Sequence, residues 1–182
     1  MKIESAPLQP VKLIKPTPFK DMRGEFVEMY REHMFREAGI HVDYVQDNIS
    51  TSRKNTIRGL HYQLPPSSQV KLVMVPHGEI LDIAVDMRAN SSTFGEHFST
   101  VLSAENRHML YIPTGFAHGF AVLSDEATVY YKCSDYYNPE LERGVRWDDP
   151  ELDISWNISD PILSKKDLKL PLLKNLAEKD LF

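Results

Sequence analysis

Two short stretches of this sequence concentrate groups able to move protons. The first is Gln46-Asp47-Asn48-Ile49-Ser50, followed by Arg58-Gly59-Leu60-His61-Tyr62-Gln63. Amide, guanidinium and imidazole groups sit there inside strand-like sequence, where a plain core carries valine and isoleucine. Gln46 and Asn48 are two apart and share one face of a strand. Strict alternation sends Arg58 and His61 to opposite faces, but Gly59 between them is a natural bulge position that can aim both inward. A polar, solvent-facing strand is the competing account, and these residues alone weigh evenly for the two. The second stretch is Tyr111-Ile112-Pro113-Thr114-Gly115-Phe116-Ala117-His118-Gly119-Phe120. Its proline and two glycines force a tight turn, from which His118 enters an apolar strand. A lone histidine in such a strand is more often a hydrogen-bonded core residue than a ligand.

An imidazole ordinarily titrates near neutrality, which makes His61 the best general base in the chain. A histidine base usually needs a carboxylate to fix its tautomer and stabilise the imidazolium. Asp167, in Ser164-Lys165-Lys166-Asp167, is a candidate, although a solvated charge run explains that segment equally simply and is favoured by the residues alone. The second stretch resembles the second motif of the cupin barrels, many of which bind a metal through three histidines and a carboxylate. Here Tyr62 and Gln63 follow His61 where metal-binding cupins carry a second histidine, and His77 lies in a presumed turn between Pro76 and Gly78. A three-nitrogen site cannot be assembled, so no metal is expected.

The elements that must position these groups read as strand upon strand. KLVMV (71–75), EILDIAVDM (79–87), HFSTVL (97–102), HMLYIP (108–113), GFAVL (119–123) and ATVYYKC (127–133) are rich in β-branched or aromatic residues. Pro76-His77-Gly78 reads as the turn between the first two. Leu81, Ile83, Val85 and Met87 share one face of their strand, with Asp82 and Asp86 on the other. One helix is predicted over about Arg31 to Ala38, closed by Gly39. Short strands at near-regular spacing predict an all-β sandwich or barrel. The tail from about 161 is expected to end in helical turns packed over the barrel mouth.

Composition sets the outer bounds. A chain of 182 residues fits one domain, taken here as 1–182, with enough length to bury a core. Apolar runs such as Leu72 to Val75 are too short to cross a bilayer, so no membrane partner is expected. The opening MKIESAPLQP lacks the apolar core of a signal peptide, and one cysteine, Cys133, fits a reducing cytoplasm. A net charge of −5 argues against a nucleic-acid partner but leaves room for a small anion held by a few basic side chains.

Taken together the segments resemble the dTDP-4-dehydrorhamnose 3,5-epimerase family nearly end to end. They are DMRGEFVE (21–28), VQDNIS (45–50), IRGLHYQ (57–63), KLV (71–73), IPTGFAHGFAVLS (112–124), YKCSDYYNPELERG (131–144), WDDP (147–150) and LSKKD (163–167), in the family's order. The resemblance implies a cupin-type jelly roll and epimerisation of a nucleotide-linked 4-keto-6-deoxy sugar through an enolate, with no cofactor. It implies that His61 accepts a proton with Asp167 as its carboxylate partner, that Tyr131 donates one on the other face, and that Lys71 stabilises the enolate oxygen. It further implies that Arg23, Glu28, Gln46, Asp47, Asn48, Arg58, His118, Glu142 and Lys166 bind the nucleotide sugar, with Tyr137 stacked on thymine. A homodimer is expected, an N-terminal segment near Arg23 completing the neighbouring site.

Three other functions compete. Inversion at carbon 3 alone keeps the reaction class and is scarcely separated by these motifs. A non-catalytic sugar-binding cupin is disfavoured by base, acid and carboxylate partner occurring together. A metal-dependent cupin oxygenase is disfavoured by the missing histidine pair.

Overall fold

A computed structural model describes residues 1–182. In chain order the strands are β1 (Lys2–Ser5), β2 (Lys12–Lys15), β3 (Pro18–Asp21), β4 (Gly24–Val27), β5 (Gln46–Arg53), β6 (Ile57–Gln63), β7 (Lys71–His77), β8 (Glu79–Asp86), β9 (His97–Ser103), β10 (Met109–Ile112), β11 (Phe116–Val122), β12 (Glu126–Cys133) and β13 (Glu142–Gly144). One helix, α1 (Glu32–Glu37), falls between β4 and β5, and Gly39 follows it as expected, its N–H on Arg36 O at 2.9 Å.

The strands form a six-stranded sheet, β1-β2-β10-β7-β12-β5, and a five-stranded sheet, β13-β6-β11-β8-β9, with β3 and β4 as a separate hairpin. Every pairing between strands is antiparallel. Val73, Val75, Leu110, Ile112 and Val129 of the first sheet meet Ile80, Ala84, Phe116, Phe120 and Val122 of the second in one buried cluster. This is the double-sheet jelly roll expected from the short, regular strands.

Both outer faces are also covered. Phe35 of α1 packs with Ile14, Leu72 and Met109 against the six-stranded sheet. On the five-stranded sheet Leu81, Ile83, Val85 and Met87 share one face, as their alternation predicts, and pack against Leu152, Trp156 and Leu173. Burying a Leu, Ile, Val or Met side chain is worth about 1.5–3 kcal/mol. A one-residue slip of β8 would trade that face for Asp82 and Asp86, so the register is firmly set.

Two expectations need correction. The turn between β7 and β8 is shorter than Pro76-His77-Gly78. Only Gly78 turns, at φ +76°, and a Cβ there would lie 2.1 Å from Glu126 O, so no side chain fits. The tail does form helical turns, at Asp167–Lys169, Leu173–Asn175 and Glu178–Asp180, but most of it lies across the outer face of the five-stranded sheet. Leu163, Leu173, Leu176 and Leu181 supply apolar contacts that β8 needs on that side, and only residues 162–167 reach the mouth. No helix is long and apolar enough to cross a membrane.

Candidate active site

The interior of the jelly roll opens into a cavity of about 630 Å³ and an adjoining one of about 280 Å³; His61, Lys71 and Tyr131 line both. His61 comes from β6 in one sheet, whereas Lys71 on β7 and Tyr131 on β12 come from the other. A ligand between the sheets therefore has the imidazole on one side and the phenol on the other.

The expected bulge places His61. Along β11 the partners His118 and Phe120 are two apart, but they answer His61 and Arg58, three apart on β6, so the extra residue lies at Gly59-Leu60. Gly59 has φ +121°, and a Cβ there would fall 2.5 Å from Gly119 Cα. Glycine at both positions lets the strands touch, and the bulge brings Arg58 and His61 onto one cavity wall.

Asp167 is buried, and its Oδ1 lies 2.7 Å from His61 Nε2. Burial alone would raise its carboxyl pKa, but the hydrogen bond and charge of His61, with Ser164, hold it below the ordinary value. The solvated-charge-run account of this segment fails for Asp167 and holds for its exposed neighbour Lys165. A second pair stands beside the first. His118 faces His61 across β11 and β6, and its Nε2 lies 2.7 Å from Oδ1 of the fully buried Asp82. Asp82 Oδ2 is buried without a partner.

The opposite wall carries Lys71 and Tyr131. Burial pushes the Lys71 ammonium pKa down, against the pull of Cys133, Glu142 and Asp82. Burial pushes the Tyr131 phenol up, keeping it protonated at neutral pH. Arg58 Nε donates to Ser52 Oγ at 3.0 Å. At the mouth of the smaller cavity Tyr137 donates to Glu142 Oε2 at 2.6 Å, and Lys166 bonds the same oxygen. Burial works to raise Glu142, but Lys166, Tyr137 and the nearby His61 hold it low. Gln46 Nε2 donates to Asn48 Oδ1 at 3.0 Å, and Gln46 Oε1 accepts the Tyr137 N–H at 2.9 Å.

Three sequence-nominated residues stand elsewhere. Asp47 is on the other face of β5, bonded by Lys132 Nζ and Tyr130 OH at 2.7 Å each, because strict alternation separates it from Gln46 and Asn48. Arg23 lies at the tip of the β3–β4 hairpin, donating to Asp21 Oδ2 at 2.7 Å. Glu28 accepts from Arg31 at 2.6 Å. Neither lines the cavity with His61 in this chain. The tight turn expected from the proline and glycines of the second stretch spans only 113–115, because β11 already begins at Phe116, and none of those three residues lines the cavity. Sequence reasoning missed Asp82, Ser52 and Ser164. Asp82 had a readable signal, a carboxylate inside an otherwise apolar strand; the two serines had none.

No three His, Cys, Asp or Glu side chains converge in a way that could hold a metal ion. The fold is a cupin-type jelly roll, and its cavity is lined by the ionisable groups of His61, Lys71, Tyr131, His118 and Asp167. The model of the dTDP-4-dehydrorhamnose 3,5-epimerase family matches residues 5–175. The chain is 51% identical to a dTDP-4-dehydrorhamnose 3,5-epimerase of Neisseria gonorrhoeae over 92% of its own length, though it spans about half (51%) of that relative. It is 47% identical to the enzyme of that name from Shigella flexneri, covering 92% of this chain and 93% of the relative. A crystal structure of dTDP-6-deoxy-D-glucose-3,5-epimerase from Legionella pneumophila, in complex with dTDP-4-keto-L-rhamnose, superposes with a TM-score of 0.94 at 43% identity, covering 99% and 96% of the two chains. This chain belongs to the dTDP-4-dehydrorhamnose 3,5-epimerase family.

Proposed function

We infer that this chain inverts carbons 3 and 5 of dTDP-4-dehydro-6-deoxy-D-glucose to give dTDP-4-dehydro-L-rhamnose. The observation that carries this reading is the His61–Asp167 pair on one cavity wall facing the Tyr131 phenol on the other. A hydrogen beside the ketone is acidic because its loss leaves an enolate, with the negative charge on the carbon 4 oxygen. In this reading His61 takes the proton, Asp167 stabilises the resulting imidazolium, and Lys71 meets the charge on oxygen. Tyr131 returns a proton from the opposite face, and proton exchange with water then restores the phenol and the imidazole. The same groups serve carbon 3 and carbon 5 in turn, and no redox equivalent is consumed.

Arg58, His118, Glu142, Lys166, Gln46 and Asn48 bind the nucleotide sugar in this reading. Tyr137, half exposed at the mouth, offers a ring for thymine to stack on. Asp47 acts from the outer face of its strand, with no direct ligand contact. We place the reaction in the cytoplasm, where the lone buried thiol of Cys133 stays reduced. The test is incubation with the 4-keto-6-deoxy sugar nucleotide in deuterium oxide containing EDTA, followed by NMR. The expected outcome is deuterium at both inverted carbons, at a rate that chelation leaves unchanged. A rate abolished by EDTA and restored by a divalent ion would refute the metal-free reading, and label at carbon 3 alone would reduce the reaction to a single inversion.

The same reading makes the enzyme a homodimer in which Arg23 and Glu28 complete the neighbouring site. The β3–β4 hairpin supports it, since this short two-stranded element exposes Phe19 (63%), Met22 (101%) and Phe26 (68%) to solvent. Unpaired strand edges and apolar side chains of that kind are usually covered. Light scattering should find a mass twice the 20.9 kDa of the chain; an active monomer would contradict this.

A further inference from the structure

The Trp147-Asp148-Asp149-Pro150 segment has no part in the cavity lining, yet Asp149 is one of the few buried carboxylates of the chain. Its Oδ1 accepts the N–H groups of Glu151 at 2.8 Å and Leu152 at 3.2 Å, which closes its own loop. The other oxygen, Oδ2, is engaged elsewhere. It accepts the N–H of Leu173 at 2.6 Å, a residue 24 positions further on.

That bond is one of several that fix the segment just after Asp167. Arg146 N donates to Pro171 O at 2.9 Å. Leu170 rests over Gly144, where a Cβ would lie 2.9 Å from each of its δ carbons, so the missing side chain forms the notch that receives it. Gly144 is the direct partner of His61 in the β13–β6 pairing. The seat for residues 170–173 is therefore one strand away from the imidazole. Asp167 itself lies in a single 3₁₀ turn, Asp167–Lys169, with Leu168 exposed. So short a turn has little stability of its own and takes its position from its flanks.

We propose that Asp149 is a positioning residue: by anchoring Leu173, with Leu170 seated on Gly144, it holds Asp167 against His61. This rests on the roles given above to His61 and Asp167. The carboxylate of Asp149 touches neither the cavity nor the dyad and acts only through the chain between Asp167 and Leu173. Its loss loosens the turn that carries Asp167, with Lys166 at its cap, and removes no group that itself meets the sugar nucleotide.

The test is Asp149→Asn, which keeps the shape but replaces one acceptor oxygen with an NH₂ donor. kcat should fall roughly ten- to a hundredfold, the scale of a small misplacement of a reacting group, and far more than KM rises. Introduced on an Asp167→Asn background, the substitution should cost nothing further, because the group it positions is already gone. An equal fold-loss on both backgrounds would show a merely structural role, and undiminished kcat in the single variant would also overturn the proposal. If Asp149→Asn does not fold, Leu170→Ala, which empties the notch without removing a polar group, is read by the same two-background comparison. The downfield imidazole N–H proton of His61 supplies a readout independent of turnover. It should be sharp in the parent chain and shifted or broadened in Asp149→Asn; an unchanged resonance sinks the seat. A parent chain that shows this resonance but no epimerisation would refute the proposed function instead.

Discussion

His61→Ala lowers turnover by roughly 10²–10⁴-fold, the usual cost of losing a positioned general base. The structure gives little scope for a substitute. His118, paired with buried Asp82 as His61 is with Asp167, is the only other imidazole lining the larger cavity. Asp167→Asn should cost a comparable amount, since an amide cannot balance the charge of an imidazolium and can hold the wrong tautomer. The carboxyl of Asp167 is held low, so it is ionised at neutral pH and available as that counter-charge. Steady-state kinetics on both variants check this, with the expectation that kcat falls far more than KM rises. A fully active His61→Ala enzyme would remove the proposed base.

Tyr131→Phe should separate the two half-reactions. The ring packs against the core between the sheets and phenylalanine keeps that packing, while the hydroxyl has no protein partner to lose. Because burial raises its pKa, the phenol is a proton donor at neutral pH and not a competing base. The variant retains His61, Asp167 and Lys71, so it should still form the enolate. With no donor on the far side, the enolate is reprotonated by His61 on the face it came from. In deuterium oxide the recovered substrate should carry label while the epimer accumulates at least about 10²-fold more slowly than in the parent. Epimerisation at the parent rate would assign the donor to another group. Loss of exchange and epimerisation together would mean that the hydroxyl also helps to form the enolate.

Much of this arrangement was legible from residue types and spacing. The β8 alternation gave the buried face of the five-stranded sheet, and Gly59 marked the bulge that brings Arg58 and His61 to one wall. Local sequence reports such things because alternation and glycine geometry are local. The pairing of Asp167 with His61 spans 106 positions and was reached only through family resemblance, since nothing in Ser164-Lys165-Lys166-Asp167 distinguishes it from a solvated charge run. Asp47 shows the converse failure. Residue-by-residue transfer placed it among the ligand contacts, while the same alternation that groups Gln46 with Asn48 turns it outward to Lys132. The helical turns of the tail follow from its own residues, but which face it covers depends on β8 presenting an apolar outer surface, a property of the folded sheet.

The contact between Gly59 and Gly119 has a consequence for how the family can be compared across species. A side chain at Gly59 would meet Gly119 Cα at 2.5 Å, and one at Gly119 would meet Arg58 O at 2.9 Å. Each obstruction is mostly backbone, so no change at one position makes room for a change at the other. The pair can only be kept, and it cannot be exchanged for a compensating pair. Methods that infer spatial neighbours from correlated substitution need positions that vary, and they are blind to this junction although it aims Arg58 and His61. Mapping the site by covariation would leave a gap at the strand crossing on which its geometry depends.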